Sequence, residues 1–337
     1  MDIQAAIKAV IAHQDLSGDE MRSVMQQIMT GECTPSQIGG FLVGLRMKGE
    51  TVDEMSAAAR VMRELATRVE VSADHLVDTA GTGGDASGSF NISTASALVA
   101  AAAGARVAKH GNRSMTSNSG SADVLEAAGV KLDITPEQVR DCVEQVGVGF
   151  MFAPAHHGAM KHAIGARKEM AVRTIFNVLG PLTNPAGAPN QVIGVFDGDL
   201  LEAMARVLKQ LGSDHVMVVH AEDGMDEISI SAKTSVAELK HGEVSSYTIS
   251  PGDFGIEIAD SSALRVDSVE QSLAMIQSVL SNSPGPALDI VSMNAGAAIY
   301  VSGVADSLAE GIQAAKAAIA DGRATAILAD LVAKTNS

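Results

Sequence analysis

Through the first 70 residues, apolar positions recur every three to four places, the spacing of a single helical face. They run Ile3, Ile7, Val10; then Met21, Val24, Met25, Ile28; then Ile38, Phe41, Leu42, Leu45; then Met55, Ala58, Val61, Met62, Leu65. The last three runs each follow a hydroxyl residue with an acid or amide three positions later: Ser17 and Glu20, Thr34 and Gln37, Thr51 and Glu54. In such a pair the hydroxyl accepts an unpaired N–H of the first turn, and the acid or amide reaches back to the cap. Pro35 falls at a first helical position, where its missing N–H costs nothing. Gly31 and Gly49 stand where helix ends are expected. The pattern predicts a small four-helix unit.

From about residue 72 the period changes. Short β-branched runs appear at Leu76–Thr79, Val107–Lys109, Val192–Val195 and His215–His220. Helical segments alternate with them: Ile92–Ala103, one opened by Thr135-Pro136-Glu137-Gln138, and Leu200–Leu211. Alternation of this kind predicts a largely parallel sheet covered on both faces. A helix pair near Val269–Leu280 and Ala305–Ala320 is expected to close the chain. A cleft is expected where the helical and α/β units pack together.

Composition supports that class. Of 337 residues 46% are hydrophobic but only 3% aromatic, so Ala, Val, Leu, Ile and 16 Met must do the packing. That favours helices and buried parallel strands over an aromatic-rich sandwich. A net charge of −16 argues against nucleic acid and anionic membranes as partners. It leaves room for a small anion met by local cations and backbone N–H groups. Cys33 and Cys142 lie far apart and form no CxxC, as expected of thiols in a reducing cytoplasm. The opening MDIQAAIKAV is amphipathic and lacks the make-up of a signal peptide. The longest apolar stretch, Ala97–Ala103, is too short for a bilayer, so a cytoplasmic protein is expected.

The strongest local signal is Asp78-Thr79-Ala80-Gly81-Thr82-Gly83-Gly84-Asp85, followed by Ser89-Phe90-Asn91-Ile92-Ser93-Thr94 at the start of an alanine-rich helix. Glycines let backbone N–H groups approach an anion without a Cβ in the way. A helix N-terminus adds oriented donors and partial positive charge. With Thr82, Ser89, Asn91, Ser93 and Thr94 these residues describe a phosphate cradle; the alternative is a tight turn without a ligand. The segment is neither a Walker A loop nor a GxGxxG fingerprint.

A second strand end carries Lys109-His110-Gly111-Asn112-Arg113-Ser114, then Met115, Thr116, Ser117, Asn118, Ser119, Gly120 and Ser121. In doubly wound sheets ligands bind at that edge; a solvated basic loop is the alternative. A third strand, His215–His220, runs into Ala221-Glu222-Asp223-Gly224-Met225-Asp226-Glu227, whose adjacent acids are hard oxygen ligands suited to Mg²⁺ bridged to phosphates, or else an acidic surface turn. His156, His157 and His162 cluster without the HExxH or Cys partners of a zinc site. Lys161, Arg167, Lys168 and Arg173 form a basic group that suits a carboxylate-bearing substrate, or a solvated helix face.

These segments, together with Arg173-Thr174-Ile175-Phe176-Asn177-Val178-Leu179-Gly180-Pro181-Leu182-Thr183-Asn184-Pro185 and Asp226-Glu227-Ile228-Ser229, resemble anthranilate phosphoribosyltransferases over nearly the whole chain. The resemblance implies a nucleoside phosphorylase-like architecture. A small helical domain, residues 1–71 with part of 160–184, would sit beside a larger α/β domain, residues 72–337, in a homodimer joined through the helical domains. It implies transfer of the phosphoribosyl group of phosphoribosyl pyrophosphate to the amine of anthranilate, in tryptophan biosynthesis.

By the same resemblance phosphoribosyl pyrophosphate would meet Gly81, Gly84, Asp85, Ser89, Asn91, Ser93 and Thr94 from the first loop, with Ile92 also at the substrate site. From the second it would meet Lys109, Ser117 and Ser121, while His110, Gly111, Asn112, Arg113, Ser114, Met115 and Thr116 would line the substrate site beside it. Ser93, Asp226 and Glu227 would hold Mg²⁺; Gly81, Asn112 and Arg167 would contact anthranilate, with Arg167 on its carboxylate. The chain departs from the family pattern at Gly158, Gly165 and Ala171, which bears on the substrate entry. The chemistry requires no strong base, because an aromatic amine is unprotonated at neutral pH; His110 is the one candidate for proton handling. A pyrimidine nucleoside phosphorylase-like enzyme and a non-catalytic nucleic-acid-binding relative are the alternatives.

Overall fold

The computed structural model describes residues 1–85, 87–114 and 119–337. Met115, Thr116 and Ser117 of the expected site lie outside the described residues. Four helices open the chain: α1 Ile3–Ile11, α2 Gly18–Thr30, α3 Pro35–Lys48 and α4 Val52–Leu65. All three expected capping boxes form, with Ser17, Thr34 and Thr51 accepting from the residue three on. Gly31 ends α2 at φ 84°, in the left-handed region that glycine tolerates. The apolar faces meet in a core of Met21, Met25, Ile28, Phe41, Leu42, Leu45 and Met55, all fully buried.

The α/β part begins with β1 Leu76–Gly81, α5 Ile92–Ala102, β2 Arg106–Gly111, α6 Ser121–Ala127, α7 Pro136–Asp141 and β3 Val148–Phe152. Short helices α8 Ala153–His156, α9 Ile164–Met170 and α10 Ile175–Leu179 follow. Then come β4 Asn190–Gly194, α11 Leu201–Gln210, β5 His215–Ala221, β6 Thr234–Lys240 and β7 Glu243–Ile249. The chain closes with α12 Val269–Leu280, α13 Pro286–Val301, α14 Leu308–Ala320 and α15 Arg323–Thr335.

The strands form a seven-stranded sheet in the order β3-β2-β1-β4-β5-β6-β7. Pairings from β3 to β5 are parallel, and β5-β6-β7 are antiparallel. The largely parallel α/β sheet is as expected, with an antiparallel edge added. One face packs against α5, α12, α13, α14 and α15. On the other face Ile193, Val195, Val216 and Val218 share a core with α11 and the N-terminal helices. Helices α9 and α10 pack on α3 and α4. No helix among the described residues is long and apolar enough to cross a membrane.

The end of the chain and the edge of the sheet differ from the expected pattern. Four helices, not a pair, close the chain, and the helix expected from Ala305 starts at Leu308. Helix α13 escapes the pattern because it is apolar all round, with buried residues from Ile290 to Val301 on every side. Strands β6 and β7 escape because β7 is largely exposed and polar, and their turn is His241-Gly242 with φ of 51° and 76°. That is the doubly left-handed geometry of a primed hairpin turn, without the usual Asn-Gly signal.

Candidate active site

The strand order reverses at β1, which lies between β2 and β4. In open α/β sheets the crevice beyond the strand ends at such a point is where ligands bind. Gly81 ends β1 and pairs in register with Gly194, the end of β4. Both must be glycine for one reason. A Cβ on Gly81 would lie 2.7 Å from Asp226 Oδ2, and one on Gly194 would overlap the Asp226 carbonyl oxygen. The two bare strand ends let the turn after β5 lay Asp226 across the crevice.

The loop after Gly81 is braced on several sides. Thr82 N–H donates to Gly194 O at 2.9 Å, and Thr82 Oγ1 accepts from Phe196 N–H at 3.1 Å. Gly83 N–H donates to Asp226 Oδ2 at 2.8 Å. Gly83 and Gly84 both adopt positive φ, 67° and 76°. Phe90 N–H donates to Leu264 O and Val266 N–H to Gly88 O, each at 2.9 Å, so the loop lies against the segment before α12. Asn91 then links three pieces. Its Oδ1 accepts from Ser272 Oγ of α12 and from Ser119 Oγ, each at 2.7 Å.

The basic and acidic residues converge beside this loop. Lys109 is buried, and its Nζ donates to Thr79 O at 2.5 Å and to Ser93 Oγ at 3.3 Å. Burial pushes Lys109 down, opposed by the charges of Asp78 and Glu227. Asp78 is fully buried and accepts from Asn184 Nδ2 at 2.7 Å and His110 N–H at 3.1 Å. Burial pushes it up to about 6, against the pull of Lys109. Asp226 is also pushed up to about 6, by burial and then by the charge of Asp85. Burial and the neighbouring Asp226 push Glu227 well above the carboxylate range, while Lys109 and the Ser93 amide draw it down. Asp85, Asp226 and Glu227 thus share one half-buried corner, with Lys109 as the cation between Glu227 and Asp78. A hard divalent cation suits that corner, and the donor set of Ser93 hydroxyl with two carboxylates fits Mg²⁺.

Other expected residues fall less simply. Ile92 is 1% exposed with its amide on Phe90 O, so it is core rather than cleft. Thr94 Oγ1 is buried in the first turn of α5 with no partner among the described residues. Ser89 pairs with Arg265 in an isolated bridge. The Arg113 guanidinium is held by Asp123 and Glu126 at 2.9 and 2.8 Å, turned onto α6. Asp123 Oδ2 also accepts from Ser114 and Gly120 N–H, and Ser121 Oγ donates to Asn112 O at 3.2 Å, which closes the second loop on the start of α6. A Cβ on Gly111 would collide with Ser121 Oγ.

Histidines line the region between the loops. His110 and His157 are buried with ring centroids 5.0 Å apart. Burial, then the neighbouring histidines, push His110 down to about 3; burial and His156 push His157 down to about 4. Both are therefore neutral at pH 7. His110 bonds the Gly180 backbone, yet its Nε2 is buried without a partner among the described residues. With the other nitrogen donating to that carbonyl, Nε2 carries a lone pair. Arg167, on α9, has its guanidinium 5.2 Å over the Phe176 ring and no acidic partner among the described residues. Burial lowers its pKa, so an incoming carboxylate would find a poorly solvated cation. Lys161 and Lys168 are exposed, and Arg173 points elsewhere, onto the glycine loop. Sequence reasoning passed over Gly194 and Ser272 and misplaced Arg173. Nothing in the local pattern marks them, because each acts through a contact with a distant segment.

Two family models match the chain: a glycosyl transferase family helical bundle domain over residues 4–66, and the a/b domain of the same family over residues 73–325. The chain is 70% identical to an anthranilate phosphoribosyltransferase of Thioalkalivibrio sulfidiphilus, covering 100% of both chains. It is 60% identical to that of Methylococcus capsulatus, covering 99% of this chain and 98% of the relative. Among solved structures, anthranilate phosphoribosyltransferase of Thermus thermophilus superposes with a TM-score of 0.94 at 42% identity, covering 98% of this chain and 99% of that one. The Saccharomyces cerevisiae enzyme, in complex with PRPP and Mg, gives a TM-score of 0.90 at 25% identity, covering 99% and 98%.

Proposed function

The chain belongs to the anthranilate phosphoribosyltransferases of the glycosyl transferase family, and on that premise we propose how its cleft performs the transfer. The reaction joins the amine of anthranilate to the anomeric carbon of phosphoribosyl pyrophosphate and releases pyrophosphate, the reaction implied by the resemblance to tryptophan biosynthesis enzymes. The observation that carries the residue assignment is the hydrogen bond from the glycine loop to Asp226, the neighbour of Glu227, at the β1–β4 switch point.

The Gly81–Asp85 loop and the start of α5 bind the pyrophosphate, and Lys109 adds charge from beneath. Ser93, Asp226 and Glu227 hold Mg²⁺, which when bound offsets the charge of the leaving pyrophosphate. Positive charge builds on the ribose as that bond breaks. Fixed donors around the leaving group stabilise that state more than the ground state. Arg167 fixes the anthranilate carboxylate and Asn112 orients the ring beside Gly81. The amine then needs only a proton acceptor after attack. The buried Nε2 lone pair of His110 supports that role. The Asp78 and Asn184 pair joins β1 to β2 beneath these groups.

Arg167→Ala weakens anthranilate binding by about 10- to 100-fold, the loss of a charged hydrogen bond worth about 1.5–3 kcal/mol. Phosphoribosyl pyrophosphate affinity stays within about threefold, since no hydrogen bond joins Arg167 to the glycine loop among the described residues. Titration of each substrate separately checks both halves; unchanged anthranilate affinity removes Arg167 from the site.

The helical domain of residues 1–71, with part of 160–184, joins two copies into a homodimer. Support comes from α3, where Ser36, Gly40, Val43 and Met47 form one exposed stripe, with Val43 39% and Met47 73% exposed. Ile11 of the adjoining α1 is 66% exposed. Small and apolar residues at helical spacing suit close contact with a second copy. Val43→Glu with Met47→Glu halves the mass by light scattering at micromolar concentration; a monomeric parent protein contradicts the assignment. A cytoplasmic location fits the two unpaired thiols, Cys33 and Cys142.

A further inference from the structure

Arg173 and Arg167 lie six residues apart in one basic segment, yet the structure sends them to different places. Ala171 ends α9 in the left-handed conformation, φ 51° and ψ 30°, which L-residues with a Cβ rarely adopt. The chain turns there, and two residues later Arg173 reaches the α/β part. Its guanidinium lies 3.7 Å from the centroid of the Phe196 ring. Nη1 donates to Gly83 O at 3.3 Å, and Nη2 donates to Gly84 O. Arg173 forms no ion pair with an acid among the described residues. Its fixed partners are therefore an aromatic face and two glycine carbonyls.

We infer that Arg173 orients the backbone donors of the phosphate-binding loop: it is a positioning residue for phosphoribosyl pyrophosphate. The inference rests on the reading of that loop as the pyrophosphate cradle. In a trans peptide the carbonyl of one residue and the N–H of the next point in opposite directions. Drawing the Gly83 and Gly84 carbonyls onto the guanidinium turns the Gly84 and Asp85 N–H groups away from it. Those two N–H groups donate to nothing among the described residues, whereas the Gly83 N–H is taken by Asp226. Successive free N–H groups on a loop of positive φ make an anion-binding concavity. Arg173 also keeps two carbonyl dipoles from facing that anion.

The arrangement needs arginine. Two donors in a planar fork reach two carbonyls while the plane lies on Phe196; a lysine ammonium offers one point of attachment and no plane. The latch also joins the two halves of the molecule, because Arg173 follows α9, which packs on α3, and precedes α10, which packs on α4. The loop's donors are thereby tied to the helical unit.

The test uses full-length Arg173→Ala, Arg173→Lys and Phe196→Leu, titrated with phosphoribosyl pyrophosphate, inorganic pyrophosphate and anthranilate. Arg173→Ala weakens phosphoribosyl pyrophosphate and pyrophosphate by about 10- to 100-fold, and Phe196→Leu by a smaller factor in the same direction. Arg173→Lys keeps the charge and still loses most of the affinity. Anthranilate affinity is unchanged, and kcat at saturation falls far less than KM for phosphoribosyl pyrophosphate rises. Full rescue by lysine would mean that the residue acts as a bare charge, and tighter binding in Arg173→Ala would mean that it obstructs the site; either overturns the inference. So does unchanged phosphoribosyl pyrophosphate affinity, or a loss confined to anthranilate. Should Gly83→Val also bind normally, the cradle reading itself fails; should only Arg173→Ala bind normally, the positioning role alone fails.

Discussion

Replacing Asp226 by Asn and Glu227 by Gln together lowers turnover by about a thousandfold or more and abolishes its dependence on Mg²⁺, while anthranilate still binds. The two acids follow β5, and Asp226 lies over the bare glycines that end β1 and β4. The amides keep their size, and the new amide oxygen at position 226 can still accept from the Gly83 N–H, so the loop keeps its brace. What disappears is charge. The loss falls on stabilisation of the leaving group, and removing one preorganised electrostatic partner of a transition state costs roughly a hundred- to a thousandfold. Lys109 retains Asp78 as counter-charge, so the variant does not strand a buried cation.

A second readout follows from linkage. The folded protein holds Asp226 at about 6, above an ordinary aspartate. A carboxyl with a raised pKa binds its proton more tightly in the folded state, so the metal-free protein loses stability as pH rises from about 4 through 6. Thermal unfolding without metal reads this slope in the parent protein and its reduction in the double variant. Parent-like turnover with ordinary Mg²⁺ dependence would reduce the acidic turn to a surface feature.

Gly83→Val is expected to lower phosphoribosyl pyrophosphate affinity by more than about a hundredfold while the protein stays folded. Gly83 holds φ at 67°, and an added Cβ would meet nothing within 4 Å. The difficulty is therefore not packing. A β-branched residue in the left-handed region costs about 1–2 kcal/mol or more. The loop must either leave that conformation, dispersing the free N–H groups of Gly84 and Asp85, or keep it and project an isopropyl group into the open space. Each outcome destroys a surface that backbone donors alone create. Circular dichroism and a thermal melt check the fold, and titration checks binding; a folded variant with parent affinity would remove the glycine loop from the site.

The helical unit was legible because its signals are local. Ser17 with Glu20, Thr34 with Gln37 and Thr51 with Glu54 each declare a helix start within four residues, and all three caps form. Strands β1, β2, β4 and β5 were visible as apolar runs for the same reason. Strand β3 was not, since Val148–Phe152 is five residues with a glycine inside and no alternation. Helix α13 was hidden by uniform burial; its Gly296 lies where a Cβ would come 2.7 Å from Ile312 N, a crossing that only the partner helix explains.

The same division holds in the cleft. Glycines after one strand and acids after another can be read in sequence, because each is a local run of one residue type. Gly194 reads as an ordinary strand glycine until Asp226 is seen above it. Arg173 reads as one more cation near Arg167, because direction depends on Ala171 and on the Phe196 shelf. Ser272 reads as a helix serine until its hydroxyl meets Asn91.

The transfer is tested most directly by following anthranilate fluorescence after the purified protein is mixed with phosphoribosyl pyrophosphate, with Mg²⁺ or with a chelator. Anthranilate is expected to be consumed only when phosphoribosyl pyrophosphate and Mg²⁺ are both present. Persistence of the fluorescence with both present, together with phosphate-dependent cleavage of thymidine or uridine, would contradict it.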